Sequence, residues 1–92
     1  MTTLSAKLTL IIPGAHSLKD KRMVAKSLID KTRRKFNASV SEVDTQDMRQ
    51  TLTIGVAVIS EKRSHAQNML DELIRYIENN AEAELTSVEE GD

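Results

Sequence analysis

A four-stranded antiparallel sheet covered on one face by two helices, in the order β-α-β-β-α-β, is the architecture this sequence predicts. Three observations carry that prediction. Apolar and polar residues alternate at period two in the first dozen positions and again over 51–59, the spacing of half-buried strands. Two longer stretches, about 18–35 and 61–78, repeat apolar residues three and four apart, which aligns them on one face of a helix. The chain has 92 residues, room for a single core and therefore one domain spanning 1–92.

The first strand is predicted from Leu4, Ala6, Leu8, Leu10 and Ile12, alternating with Ser5, Lys7, Thr9 and Ile11. Pro13-Gly14 ends it, because proline donates nothing to a ladder and glycine permits the turn. Ser17 is the N-cap of the first helix, with Asp20 suited to its positive end. Leu18, Ala25, Leu28, Ile29, Thr32 and Phe36 share one face of a helix over 18–35. A strand over 36–43 follows, then a polar connection. The strongest strand covers 51–59, with Leu52, Ile54, Val56 and Val58 on one side. Ser60 is the next cap candidate. Ala66, Met69, Leu70, Leu73, Ile74 and Ile77 form the stripe of a second helix over 61–78, ended by Asn79-Asn80. A weak strand over 83–88 completes the series, and the tail 89–92 is expected to be disordered. Helix-linked strand pairs in this order give the ferredoxin-like split β-α-β arrangement.

Composition removes several function classes. There is no cysteine, hence no disulfide framework, thiolate metal site or cysteine nucleophile. One Tyr, one Phe and no Trp leave little material for stacking bases. The start of the chain has no basic and apolar leader, and no apolar run approaches the roughly 20 residues of a bilayer helix. A cytoplasmic protein without membrane contact is the expectation.

The net charge of −1 conceals a strong asymmetry. Residues 17–35 hold eight basic against two acidic side chains, a net of +6, and residues 71–92 hold eight acidic against one basic, a net of −7. On the first helix Lys19, Arg22, Lys26 and Arg33 fall along one edge, with Arg34 further round and Asp30 inside the stripe. Flexible cations at such intervals suit contacts to successive phosphates. A row of this kind serves equally as an ordinary solvated helix face.

Pro13-Gly14-Ala15-His16-Ser17-Leu18-Lys19-Asp20-Lys21-Arg22 resembles a signature stretch of the YlxP-like family, a bacterial family of unknown function. Glu42-Val43-Asp44 with Gln46-Asp47, and Gly55-Val56-Ala57-Val58, resemble its other two marks, in the right order through nearly the whole chain. The resemblance implies a ferredoxin-like fold and a small bacterial cytosolic protein. Genes of the family often lie beside translation and ribosome-maturation genes, which implies ribosomal RNA or a ribosomal particle as partner. The family supplies no activity and no catalytic residue. Met48-Arg49 departs from the family, where Leu-Trp is frequent.

No catalytic constellation stands out, so the expectation is a binding protein and not an enzyme, with no cofactor. His16, His65, Asp44 and Asp47 match no metal-ligand spacing. Pro13-Gly14-Ala15-His16 is not the phosphate loop of acylphosphatases, which share this fold. Gly55 inside a strand suggests close packing of a helix. Glu42 falls on the apolar side of its strand and is expected to pair with Lys21 or Arg22, or to be turned outward by a bulge. The sheet face away from the helices reads Lys7, Thr9, Ser39, Ser41, Thr51 and Thr53, without an aromatic. Such a face is left to water or closed by a second copy of the chain, a homodimer. Two functions follow as expectations. One is an RNA-binding module acting through Lys19, Arg22, Lys26, Arg33 and Arg34. The other is a protein-interaction or self-assembly module oriented by its charge asymmetry.

Overall fold

Alternation in the two longest strands decides the layering. The computed structural model describes residues 1–80 and 82–91. It contains β1 (Thr2–Ile11), α1 (Leu18–Lys35), β2 (Ser39–Glu42), β3 (Thr51–Ser60), α2 (Arg63–Glu78) and β4 (Glu84–Gly91). The sheet order is β2-β3-β1-β4 with antiparallel neighbours throughout. The register Leu4↔Val58, Ala6↔Val56, Leu8↔Ile54 and Leu10↔Leu52 sets apolar residues of β1 and β3 directly opposite one another. All eight are buried on the side that receives the helices. From α1 come Ala25, Leu28 and Thr32, and from α2 come Ala66, Leu70, Leu73 and Ile77. The Thr32 hydroxyl donates to the Leu28 carbonyl at 2.7 Å, so its burial leaves no polar atom wanting.

α1 begins where the sequence places it. Ser17 is extended, and its Oγ accepts from the Asp20 backbone N–H at 3.1 Å. The Asp20 carboxylate in turn accepts from the N–H of His16, one residue before the cap, at 3.2 Å, which ties the entering loop to the first turn. Ser17→Ala is expected to cost about 1 kcal/mol, measurable as a shift in the urea midpoint at unchanged slope.

Other boundaries differ from expectation. β2 is confined to Ser39–Glu42, because Phe36 caps α1 and the chain bends before it reaches β3. α2 starts at Arg63 with Lys62 at the cap position and no side-chain cap bond. Ser60 lies too early to cap; its Oγ instead shares a hydrogen bond with His65 Nδ1 at 3.1 Å. The last strand runs Glu84–Gly91, so the expected disorder of 89–92 is corrected for 89–91. These residues pair with β1 in the register Lys7↔Glu89, Ala6↔Glu90 and Ser5↔Gly91. Backbone pairing to a central strand holds the segment despite its acidic, weakly apolar composition. Asp92 lies outside the described residues.

Candidate functional site

The cationic helix face follows from how α1 is seated. Lys21, Ala25, Leu28 and Thr32 point into the core, which turns Lys19, Arg22 and Lys26 to solvent on the opposite side. All three are exposed, as are Lys31, Arg33, Arg34 and Lys35. Lys26 pairs loosely with Asp30 at 3.3 Å, and its side chain remains 80% exposed. Lys19, Arg22, Lys31 and Arg34 make no ion pair among the described residues. Lys35 sits over the Tyr76 ring at 5.6 Å, and Tyr76 meets Phe36 edge-on at 5.5 Å. The chain's two aromatics are thus spent on joining α1 to α2.

Arg33 is the exception in the row. Its Nε and Nη2 both donate to the Val40 carbonyl, at 3.1 and 2.6 Å. The Val43 N–H donates to Thr53 O, and alternation from there turns Val40's backbone groups to the outer edge of β2. Arg33 therefore straps α1 to that edge and covers an acceptor that another strand would otherwise use. The sequence grouped it with the free cations; the structure separates it from them.

The first two family-like segments meet at the end of the sheet where β1 and β2 finish. Lys21 is wholly buried, with its Nζ 2.8 Å from Glu42 Oε2 and donating to the Thr45 carbonyl. The expected Lys21–Glu42 pair is present, and no bulge turns Glu42 outward. Glu42 Oε2 is itself buried and lies off the line of a well-directed hydrogen bond, so the contact with Lys21 is its charge compensation. Asp44 adopts φ 63 in the left-handed region, which aspartate tolerates better than most residues. Across it the Thr45 N–H donates to Val43 O at 2.6 Å, a three-residue turn that folds the connection back over β3. Thr45 Oγ1 then accepts from the Thr53 N–H at 2.8 Å. Gln50 fastens the other loop, its Nε2 donating to Ala15 O at 3.1 Å and its carbonyl accepting from the Ile12 N–H. His16, Asp47, Met48 and Arg49 stay exposed around this end, while His65 lies at the opposite end of the sheet, beside Ser60.

The folded-back connection changes the open sheet face. Thr53, expected there in solvent, is only 4% exposed. Gly55 is crowded by Val43 and not by a helix: a Cβ added to it would stand 3.3 Å from Val43 Cγ1. Lys7 reaches across to Asp44 at 2.6 Å, and that carboxylate holds the exposed Lys7 ammonium above the usual lysine value, by hydrogen bond and then by charge. Its small contribution to stability is present below the ordinary pKa and is lost as the pH rises through the raised one. Between the bridge and the strands lies a shallow trough of about 760 Å³, floored by Ser5, Ser39, Ser41, Gly55, Ala57 and Gly91. Lys7, Arg33 and Glu89 stand at its margin, and it holds no ring for a base to stack on.

Fold and surface together define a small ferredoxin-like protein with a cationic helix and an acidic sheet edge. The chain belongs to the family described as "Protein of unknown function (DUF503)", whose model matches residues 3–90. It is 37% identical over 76 residues to the "Uncharacterized protein YlxP" of Bacillus subtilis (strain 168), covering 83% of each chain. Among solved structures it resembles a de novo designed protein with a ferredoxin fold, at a TM-score of 0.57 and 19% identity, over 96% of this chain and 85% of that one. That likeness concerns the fold alone. No helix among the described residues is long and apolar enough to cross a membrane.

Proposed function

We propose that this protein is a cytoplasmic binding module for structured RNA, gripping phosphates with the outward face of α1 and performing no catalytic step. The reading rests on one observation: among the described residues Lys19, Arg22 and Arg34 lie exposed along α1 without carboxylate partners, and Lys26 is paired with Asp30 at 3.3 Å. Lys19, Arg22 and Lys26, spaced by single helix turns, match the spacing of phosphates, Arg34 adds a cation two turns further on, and counterion release drives association. The absence of aromatics from the open face favours a duplex or folded RNA over a splayed single strand. Ribosomal RNA is the candidate that the family resemblance implied.

The expected result is an affinity for ribosomal RNA fragments that falls with a log–log salt slope of about −3.6, for four contacts to a duplex. Replacing Arg22 and Arg34 together by Ala should flatten that slope by about 1.8 while shifting stability by less than about 0.5 kcal/mol. Arg33→Ala should behave in the opposite way, lowering stability through the lost strap to Val40 and leaving the slope nearly unchanged. Charge reversal at Glu89 and Glu90 should not weaken RNA binding. Fluorescence anisotropy at several salt concentrations reads all of these. Equal slopes for wild type and the Arg22/Arg34 variant would remove α1 from the interface.

A second reading, a self-assembly or protein-interaction module, draws on the open face. The small side chains around Gly55 and Ala57 would let a second sheet approach closely. Sedimentation equilibrium separates the two, since a dimer closed by the open face would form without RNA and would tolerate salt.

A further inference from the structure

The two edges of the sheet are treated differently. At one edge β2 is only four residues long and Arg33 covers its Val40 carbonyl. At the other, β4 runs for eight residues and among the described residues pairs with β1 alone, so its outer rim of backbone donors and acceptors meets no described strand. Long uncovered edges are templates for strand addition, and proteins usually blunt them. β4 carries one irregularity, where its register against β1 shifts at Thr9/Leu10 and the Thr86 hydroxyl donates to the Thr9 carbonyl at 3.0 Å. Beyond it the ladder is regular, residue for residue, from Ser87 opposite Thr9 to Gly91 opposite Ser5.

The chemistry of that regular stretch specifies an occupant. Glu89 stands opposite Lys7 on the open face and attracts it weakly by charge, yet Lys7 is committed to Asp44, and Glu89 makes no ion pair among the described residues. Glu90, one residue on, lies on the helix side, where it accepts from Gln67 Nε2 at 3.0 Å. Each face of this stretch thus presents one exposed carboxylate beside the free rim, and exposed Val88, opposite Leu8, shares the helix side with Glu90. A second copy of β4 is a poor match, because antiparallel pairing would set Glu84, Glu89 and Glu90 opposite or diagonal to their own kind.

We propose that the outer edge of β4 takes up an extended lysine- or arginine-rich peptide segment by strand addition, Glu89 and Glu90 pairing its cations on the two faces of the sheet. The backbone rim supplies affinity and the alternating carboxylates select side chains. This surface is separate from α1, which packs on the β2 side of the sheet while α2 contacts β4. A bound peptide and a bound RNA therefore need not compete.

The test uses the full chain and a short labelled peptide in which Lys-Lys and Val-Val pairs alternate, so that cations fall on both faces of the added strand. A control peptide carries the same lysines with proline in place of valine, which keeps the charge and removes the ladder donors. The alternating peptide should bind at least about tenfold more tightly than the control, and Glu89→Lys with Glu90→Lys should weaken it by about tenfold or more. Glu89→Gln with Glu90→Gln, which preserves size, should give an intermediate loss. Amide chemical-shift changes should cluster in 84–91, and the Arg22/Arg34 alanine variant should bind the peptide as wild type does. The proposal is overturned by equal affinity for the two peptides, by no binding of the alternating one, by shifts confined to α1, or by a dimer closed through β4 in the absence of peptide.

Discussion

Glu42→Ala is expected to destabilise the fold by about 3–5 kcal/mol, the cost of leaving a buried charge without its partner. Lys21 Nζ is sealed from water, and its contacts are the Glu42 carboxylate at 2.8 Å and the Thr45 carbonyl. Losing the carboxylate forces the ammonium to pull out toward solvent or to stay uncompensated, and either course loosens the N-terminal turns of α1 from β2. A chain of this length has a total stability of roughly 5–14 kcal/mol, so the variant should lie near the limit of folding at 37 °C. Combining Lys21→Met with Glu42→Ala should recover most of the loss, because an apolar side chain of similar length fills the space without a charge to satisfy. Urea melts of the single and double variants decide the matter. A single-variant loss below about 1 kcal/mol, or no recovery in the double, would show that the pair does not hold this end together.

The second large effect lies in the core. Leu28→Ala and Leu73→Ala are each expected to cost about 2–5 kcal/mol. Leu28 is 1% exposed on α1 and Leu73 is fully buried on α2. Each fills the layer between its helix and the Leu8, Leu10, Ile54 and Val56 surface of the sheet. Paired central strands cannot move toward a helix without breaking ladder bonds on their other side, so the cavity stays largely open and the loss sits in the upper part of that range. Met23, exposed on α1, is the control: Met23→Ala should change stability by less than about 0.5 kcal/mol. Urea midpoints at constant slope report the comparison. Losses under about 1 kcal/mol at both leucines would mean that the buried faces are otherwise disposed.

The charge asymmetry read from the sequence becomes a spatial one in the fold. The basic helix lies toward the β2 edge and the acidic strand forms the opposite edge. A polyanion on α1 is kept from β4 by repulsion, and a cationic peptide on β4 is kept from α1 in the same way. Net charge near zero therefore coexists with two surfaces of opposite preference.

Element types and order, the Ser17 cap, the Pro13-Gly14 stop and the α1 boundaries were all legible in the sequence, because periodicity and capping are properties of neighbouring residues. Lys21 could have been placed in the core on the same grounds, since it stands four before Ala25 and seven before Leu28; its charge concealed it. That Glu42 pairs with Lys21 or Arg22 was legible, because alternation puts the carboxylate on the apolar side of its strand; which of the two cations meets it was decided by the seating of α1. Only the tertiary structure separated Arg33 from Arg34, adjacent in sequence, since which one meets a carbonyl depends on how far β2 lies from α1. It alone set Val43 against Gly55, buried Thr53, joined Lys7 to Asp44 across 37 positions, and extended β4 through Gly91. Alternation records which side of a strand faces a core. It carries no information about the distance between segments remote in the chain, or about the backbone pairing that holds an acidic edge strand against an apolar neighbour.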